Sequence, residues 1–480
     1  MKPRTLAAAL LLALAGCKVG PNYHRPDAPV PAAYEETGTA STTAEWKPGS
    51  PGDAADRGAW WSVFHDAELD RLERQVNISN QNVKQYEAQY RNAVALLREA
   101  RAQLLPTVTI SGGGQRGGGG GGTASVSSTV GSGAGGTTHT EFTLEAALSW
   151  QPDLWGTIRR QVESRKANVQ VSQAELANAR LSAQATLATD YFDLHAADSL
   201  RRLLQQSVDL DRRLLDITQN QLKAGTVSNG DLASAEAQLQ AAQAQLTAVE
   251  QQRGTYQHAI AVLTGHLPAE VAIPDAPLAA DIPVVPVSLP STLLERNPAI
   301  AAAERQMKQE NALVGVAVGA YFPSISLSAL GGYAGDPLSQ LIKLGNRIWS
   351  LGASAGDTLF QGGYQVAAVA AARANYDQYV AAYRQTVLTT FQSVEDQLLA
   401  LRVLEREAQF QTAAVKSAQL AADVSLNEFN AGTVAYTTVI TAIQTLLSDQ
   451  ESALTIQQNR LVASVTLIGD LGGGWDAAAL

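Results

Sequence analysis

Apolar and polar positions alternate with a period of two between residues 107 and 150. Phe142, Leu144, Ala146, Leu148 and Trp150 are apolar, and Thr143, Glu145, Ala147 and Ser149 between them are small or polar. Val108 and Ile110 alternate with Thr107, Thr109 and Ser111 in the same way. The pattern returns in the second half, where Ile325, Leu327 and Ala329 alternate with Ser324, Ser326 and Ser328. Trp349, Leu351, Ala353 and Ala355 then alternate with Ser350, Gly352, Ser354 and Gly356. Period two predicts strands, so each half supplies one hairpin, over 107–155 and 323–360, giving four strands of about ten residues. The Gly/Ser/Thr-rich segment 112–137 reads as a flexible hairpin loop. Its glycines lead to no Gly-Lys-Ser/Thr, which argues against a phosphate-cradling loop.

Elsewhere the period is helical. Residues 157–224 and 364–431 contain neither Gly nor Pro, and each run is 68 residues long. At a rise of about 1.5 Å per residue each predicts a rod of roughly 100 Å. Leu200, Leu203, Leu210, Leu214 and Ile217 form one stripe. Val208, Leu215 and Leu222 form a second, about 140° around the helix. A two-helix coiled coil needs one stripe; two predict neighbours on both sides. Return helices follow at 231–263 and 435–469, making helical hairpins over 157–264 and 364–469. Shorter helices over about 79–104 and 297–320 precede the two strand pairs.

The halves are copies. Leu105-Pro106-Thr107-Val108 returns as Phe322-Pro323-Ser324-Ile325, and Ala224-Gly225-Thr226-Val227 returns as Ala431-Gly432-Thr433-Val434. The first repeat is expected over 79–269 and the second over 297–470, joined by a linker at 270–296, with a tail at 471–480. Gly225 and Gly432 stand where each rod must reverse, a position that suits a residue with positive φ. Thr226, Val227, Thr433 and Val434 are expected to form an exposed apex, its repetition pointing to a shared docking surface.

The N-terminus supplies an address. Lys2 and Arg4 precede an apolar run from Leu6 to Ala15, too short to span a bilayer, and small residues lead to the only cysteine, Cys17. This predicts a signal peptide over 1–16, and Leu14-Ala15-Gly16-Cys17 resembles the lipobox of bacterial lipoproteins. An extended segment over 17–78 follows, with Trp60-Trp61 opening the ordered structure. The net charge of −10 argues against a nucleic-acid surface. Six scattered histidines show no metal-ligand spacing, and no Gly-x-Ser-x-Gly elbow occurs. No enzyme, metal or cofactor is therefore expected, and His195 reads as a helix-surface residue.

An apolar strand face packs into a core in a soluble sandwich or meets lipid in a membrane barrel. The export signal favours the barrel. Four strands cannot close one, and open edges in lipid leave backbone groups unpaired, so the chain must oligomerise. Physics permits a dimer, a trimer or more.

In combination these residues resemble the TolC family of outer-membrane factors, lipoprotein branch. The resemblance rests on Cys17 with Val19-Gly20-Pro21 and Tyr23, Trp60-Trp61 and Phe64, and Leu105-Pro106. It rests further on Asp153-Leu154-Trp155-Gly156, the paired Ala-Gly-Thr-Val turns and Leu471-Gly472-Gly473-Gly474-Trp475. It implies a mixed, mainly α fold: a long coiled-coil tunnel with a β-hairpin pair contributing to a trimeric transmembrane barrel. It also implies an outer-membrane homotrimer serving as the exit duct of an efflux system. The partners would be a periplasmic adaptor docked at the turns and, through it, an inner-membrane pump of the RND type. The same conduit could serve a type I protein-secretion system; a purely structural periplasmic lipoprotein leaves the strand alternation unexplained. The family's gate corresponds to the stretch holding Asp423, Asn427 and Glu428. No Arg lies between 407 and 459, so the stretch offers no internal Asp–Arg lock.

Overall fold

The computed structural model describes residues 18–28, 31, 34–35, 58–118, 138–279, 281–283 and 296–473. Cys17, Gly474 and Trp475 lie outside the described residues, as does 119–137. The elements run α1 (Ala67–Ser79), α2 (Gln81–Ala102), β1 (Thr107–Gly118), β2 (Thr138–Trp150), α3 (Thr157–Lys223) and α4 (Asn229–Leu263). They continue as α5 (Pro298–Gly319), β3 (Ser324–Gly335), β4 (Arg347–Gly356), α6 (Tyr364–Asn430) and α7 (Tyr436–Asp470). Helix dominates, with one small antiparallel sheet. The chain divides into two compact units.

The first unit comprises residues 1–25, 92–169 and 306–380 and holds the sheet. Its strands lie in the order β1-β2-β3-β4, all antiparallel. Partners in register share a face. Val108 opposite Leu148, Leu148 opposite Ala329, and Ala329 opposite Leu351 therefore make one apolar face. Leu144 and Leu327 belong to it; Thr143, Ser149, Ser326 and Ser350 lie on the other, where the Ser326 and Ser354 hydroxyls are 2.7 Å apart.

One expectation fails here. β1 does not end at Ser111 but pairs as far as Gly118, so residues 112–118 are strand rather than loop. Backbone pairing needs no side chain, and here the partner strand fills the space. A Cβ on Gly114 would come within 3.0 Å of the Phe142 ring.

The same unit holds a strap, residues 18–22, fastened by a buried arginine. Arg160 on α3 is fully buried and donates to Val19 O at 2.9 Å, Gly20 O at 2.9 Å, Asn22 Oδ1 at 3.2 Å and Glu163 Oε2 at 2.9 Å. Asn311 donates to Pro21 O at 3.1 Å, Val19 N–H to Trp155 O at 3.1 Å, and Lys18 pairs with Glu163. Gly20 lies so close to α5 that an added Cβ would sit 2.4 Å from Gly315 Cα. Val19-Gly20-Pro21 is thus read mainly through its backbone. Asp153 caps α3, accepting from the Ile158 and Arg159 N–H groups at 3.0 and 2.9 Å.

The second unit comprises residues 26–91, 170–305 and 381–480. Trp60, Trp61, Leu69, Leu72, Leu187, Phe192, Leu194, Ile260 and Leu461 form its largest apolar cluster. The helix expected over 79–104 is α2; a further helix, α1, occupies part of the segment 17–78 that was expected to be extended. Asn80 makes the break between them: its Oδ1 accepts from Val83 N–H at 3.1 Å and its Nδ2 donates to Leu263 O at 2.8 Å. His195 is also corrected. It is 4% exposed, not on the surface, with Nδ1 3.1 Å from Asp198 Oδ2 and its ring edge-on to Tyr191 at 4.4 Å. Asp198 accepts from Arg253 Nε at 2.5 Å. A helix flanked on two sides has little free surface left for a histidine to occupy.

Both stripes on α3 are covered. Val208 and Leu215 pack with Leu239, Ala242 and Leu246 of the return helix α4. Leu210, Leu214 and Ile217 join Ala422, Phe429, Val439 and Ile443 of the second repeat. Leu215 and Ala235 of α4 also reach into this second-repeat cluster, and Leu200 packs with Leu246 and Val249 of α4.

Candidate functional site

Both long helices end in the same cap. Gly225 N–H bonds to Leu222 O at 2.9 Å and Thr226 N–H to Gln221 O at 3.0 Å, with Gly225 at φ +75°. Gly432 N–H bonds to Phe429 O at 2.9 Å and Thr433 N–H to Glu428 O at 2.9 Å, with Gly432 at φ +74°. This is the Schellman arrangement, in which a left-handed residue lets the following N–H groups satisfy the last carbonyls. Each threonine also donates its Oγ1 to the carbonyl its own N–H uses, at 3.0 Å for Thr226 and 2.9 Å for Thr433. The Gly-Thr repetition therefore has a local cause in helix termination as well as any cause in a partner.

Exposure divides the turn residues. Gly225, Thr226, Gly432 and Thr433 are exposed, and a Cβ on either glycine would meet nothing within 4 Å. Val227 and Val434, expected at an exposed apex, are half-buried, and Val434 packs into the cluster around Phe429 and Tyr436. A β-branched apolar side chain beside hairpin core joins the core.

Beyond the turns the two copies differ. Ser228 and Asp231 form a reciprocal capping box at the start of α4: Asp231 N–H donates to Ser228 Oγ at 3.2 Å and Ser228 N–H to Asp231 Oδ2 at 2.9 Å. These hydrogen bonds hold the Asp231 carboxyl below its usual value. At the start of α7 the N-cap position is Ala435, with no side-chain cap; Tyr436 instead packs edge-on to Phe429 with centroids 6.1 Å apart.

Asp423, Asn427 and Glu428 are all exposed on α6. Asp423 and Asn427, four residues apart, share a side and Asp423 accepts from Gln419 Nε2 at 2.9 Å. Glu428 points about 140° away from Asp423, and its carbonyl is tied into the Thr433 cap. These three residues do not form one cluster within a single chain.

A buried acid in the same unit carries no sequence mark. Asp211 on α3 is 1% exposed, and neither carboxylate oxygen has a hydrogen-bond partner; the Gln238 amide is near without meeting bonding geometry. Burial pushes its carboxyl up to about 6, with a smaller lowering from Gln238. The folded state thus holds the proton more tightly than the unfolded chain. Stability falls as pH rises from about 4 to 6, and the full penalty is present at neutral pH. Asp211→Asn is expected to stabilise the protein by about 1–3 kcal/mol at pH 7.5 and by little at pH 4. Urea unfolding at the two pH values measures this, and an equal effect at both would refute it.

A profile of the outer membrane efflux protein family matches residues 72–266 and 289–473. The chain belongs to this family. It is 28% identical to the probable efflux pump outer membrane protein TtgC of Pseudomonas putida, covering 96% of this chain and 93% of TtgC. Among solved structures, the outer-membrane channel OprN is similar with a TM-score of 0.84 at 27% identity, covering 96% of this chain and 100% of OprN. The open state of the MtrE outer membrane channel of Neisseria gonorrhoeae gives 0.80 at 25%, covering 95% and 98%. The fold is that of the tunnel-forming efflux channels, the location is the outer membrane, and the chain is the outer-membrane part of an efflux system. The family is one of outer-membrane channel proteins.

Proposed function

We propose that three copies of this chain form a gated exit duct, joined by a periplasmic adaptor to an inner-membrane pump of the RND type. The observation that carries the assembly is the four-stranded sheet with β1 and β4 at its edges. A lipid-embedded edge leaves N–H and C=O groups unpaired at several kcal/mol each, so copies must join edge to edge. α6 adds a second support. Leu388, Leu399, Val403, Phe410, Leu420 and Val424 are each at least 39% exposed. They fall within an arc of roughly 100° at 100° per residue, an apolar stripe for a neighbouring copy. Three copies, giving twelve strands, follow from the resemblance to the TolC family.

In this reading the Gly225-Thr226 and Gly432-Thr433 turns meet the adaptor, and Asp423, Asn427 and Glu428 act in the gate only across protomers. The apolar sheet face meets lipid and the Ser/Thr face lines the lumen. Photocrosslinking from Thr226 and Thr433 tests the docking: adaptor adducts at these positions are expected, and adducts confined to the helix flanks would sink it. Gly432→Val forces a β-branched residue into φ +74° and is expected to cut efflux while trimers still assemble. Loss of the trimer instead would make the turn a folding element alone.

A thioether-linked lipid on Cys17 completes the anchoring. Intact mass analysis of the mature chain is expected to begin at an acylated Cys17; an unmodified N-terminus elsewhere would remove the anchor.

A further inference from the structure

The four strands carry four acidic or arginine side chains, and the register sorts them by sign. Arg116 pairs with Thr140, in line with Ile110, Leu144 and Leu148, so it lies on the apolar face. Arg347 pairs with Tyr333, in line with Trp349 and Leu351, so it lies on the same face. Glu141 pairs with Gln115, donor to its Oε2 at 3.1 Å, and Glu145 pairs with Ser111; both carboxylates lie on the polar face. A cation on an apolar membrane face is tolerable only at the headgroups, so its depth decides its meaning.

Both arginines stand nine residues from the helix-proximal ends of their strands, Thr107 to Arg116 and Gly356 to Arg347. At about 3.3 Å per residue and a tilt near 40°, that is roughly 23 Å of height, against an apolar band about 25 Å tall. Arg347 follows directly on Trp349 and lies opposite Tyr333, as an aromatic girdle followed by a cation. The β3–β4 loop continues the character: Leu338, Ile342 and Leu344 are 60%, 69% and 79% exposed, and Lys343 between them is exposed. Asp336 is the one acid on this loop. Among the described residues, Arg116, Arg347 and Lys343 make no ion pair, and Lys343 Nζ meets only Gln340 Oε1 at 3.0 Å.

We propose that Arg116, Arg347 and Lys343 bind the phosphates of a glycolipid of the outer leaflet, with Leu338, Ile342 and Leu344 against its acyl region. Guanidinium forks suit phosphate oxygens, and the sign sorting gives the lipid side the cations and the lumen the carboxylates. The proposal rests on the channel reading and on the apolar face meeting lipid.

The test uses purified full-length trimers incubated with diphosphoryl lipid A or with the same lipid dephosphorylated, bound lipid being counted by native mass spectrometry. Planar-bilayer conductance of the same preparations reports the channel. Retention of the diphosphoryl form is expected, with a loss of about thirtyfold in the double variant Arg116→Gln/Arg347→Gln and conductance unchanged. The single variant Arg98→Gln is expected to behave as wild type. Equal retention of both lipids, equal retention by the double variant, or full displacement by inorganic phosphate overturns the lipid site while conductance persists. Absence of conductance in the wild type removes the channel reading and the proposal with it.

Discussion

Leu351→Arg is expected to abolish heat-resistant trimers in the outer membrane, whereas Ser350→Arg, one residue away, leaves them assembled. Leu351 lies opposite Ala329 on the apolar face and Ser350 opposite Leu330 on the other. Leu351 is five residues from the helix-proximal end of β4, close to the middle of an apolar band of about 25 Å. A guanidinium facing lipid at that depth costs about 2–4 kcal/mol per site, repeated in each copy; facing a water-filled lumen it costs far less. Semi-native electrophoresis of outer-membrane fractions, with and without heating, reads the difference. Equal trimer yields would show that the apolar face does not meet lipid, and the reverse ranking would exchange the two faces.

The second large effect is expected at Arg160. Its guanidinium is fully buried and fastens Val19, Gly20 and Asn22 to α3 beside Glu163. Arg160→Met keeps much of the apolar stem but leaves strap carbonyls without donors and Glu163 with Lys18 alone. Breaking a buried ionic cluster from one side costs about 3–5 kcal/mol. Limited proteolysis of the purified protein is expected to cut the strap near residues 18–25 in the variant and not in the wild type. An uncut strap in a normally stable variant would show that Asn311 and the Gly20 contact hold the segment without Arg160. Arg160→Lys, a point charge without the fork, is expected to restore the strap only in part.

Much of this architecture is written in the order of residues, because its elements are long. A run without Gly or Pro from 157 to 224 leaves helix as its consistent state, and Gly225 marks where it stops. Two stripes on α3 announce two neighbours, and period two announces the strands. What escapes has a physical reason in each case. Residues 112–118 form strand through backbone pairing, and glycines carry no side chains to alternate. α1, in a segment read as extended, is short, and the break after it is made at Asn80, whose side chain meets Val83 N–H and Leu263 O, the latter a partner set by the tertiary fold. Two of the four acceptors of Arg160 are main-chain carbonyls, which look the same in every sequence. The caps of the candidate site are legible in the repeated Gly-Thr pairs, whereas within one chain Asp423 and Glu428 stand apart on exposed sides of α6 and carry no shared signal.

The unequal starts of the two return helices have a mechanical consequence. α4 begins with its own hydrogen-bonded Ser228–Asp231 clasp, which stays closed whatever stands beside it. α7 begins at Ala435 with no such clasp, and its first turn is held by Tyr436 against Phe429 within a cluster that includes Leu214 of the other hairpin. Pulling the hairpins apart would leave the first turn wound and let the second fray, its amides exchanging with solvent sooner. One tip is rigid in its own right, and the other is stiff only while it leans on its neighbour.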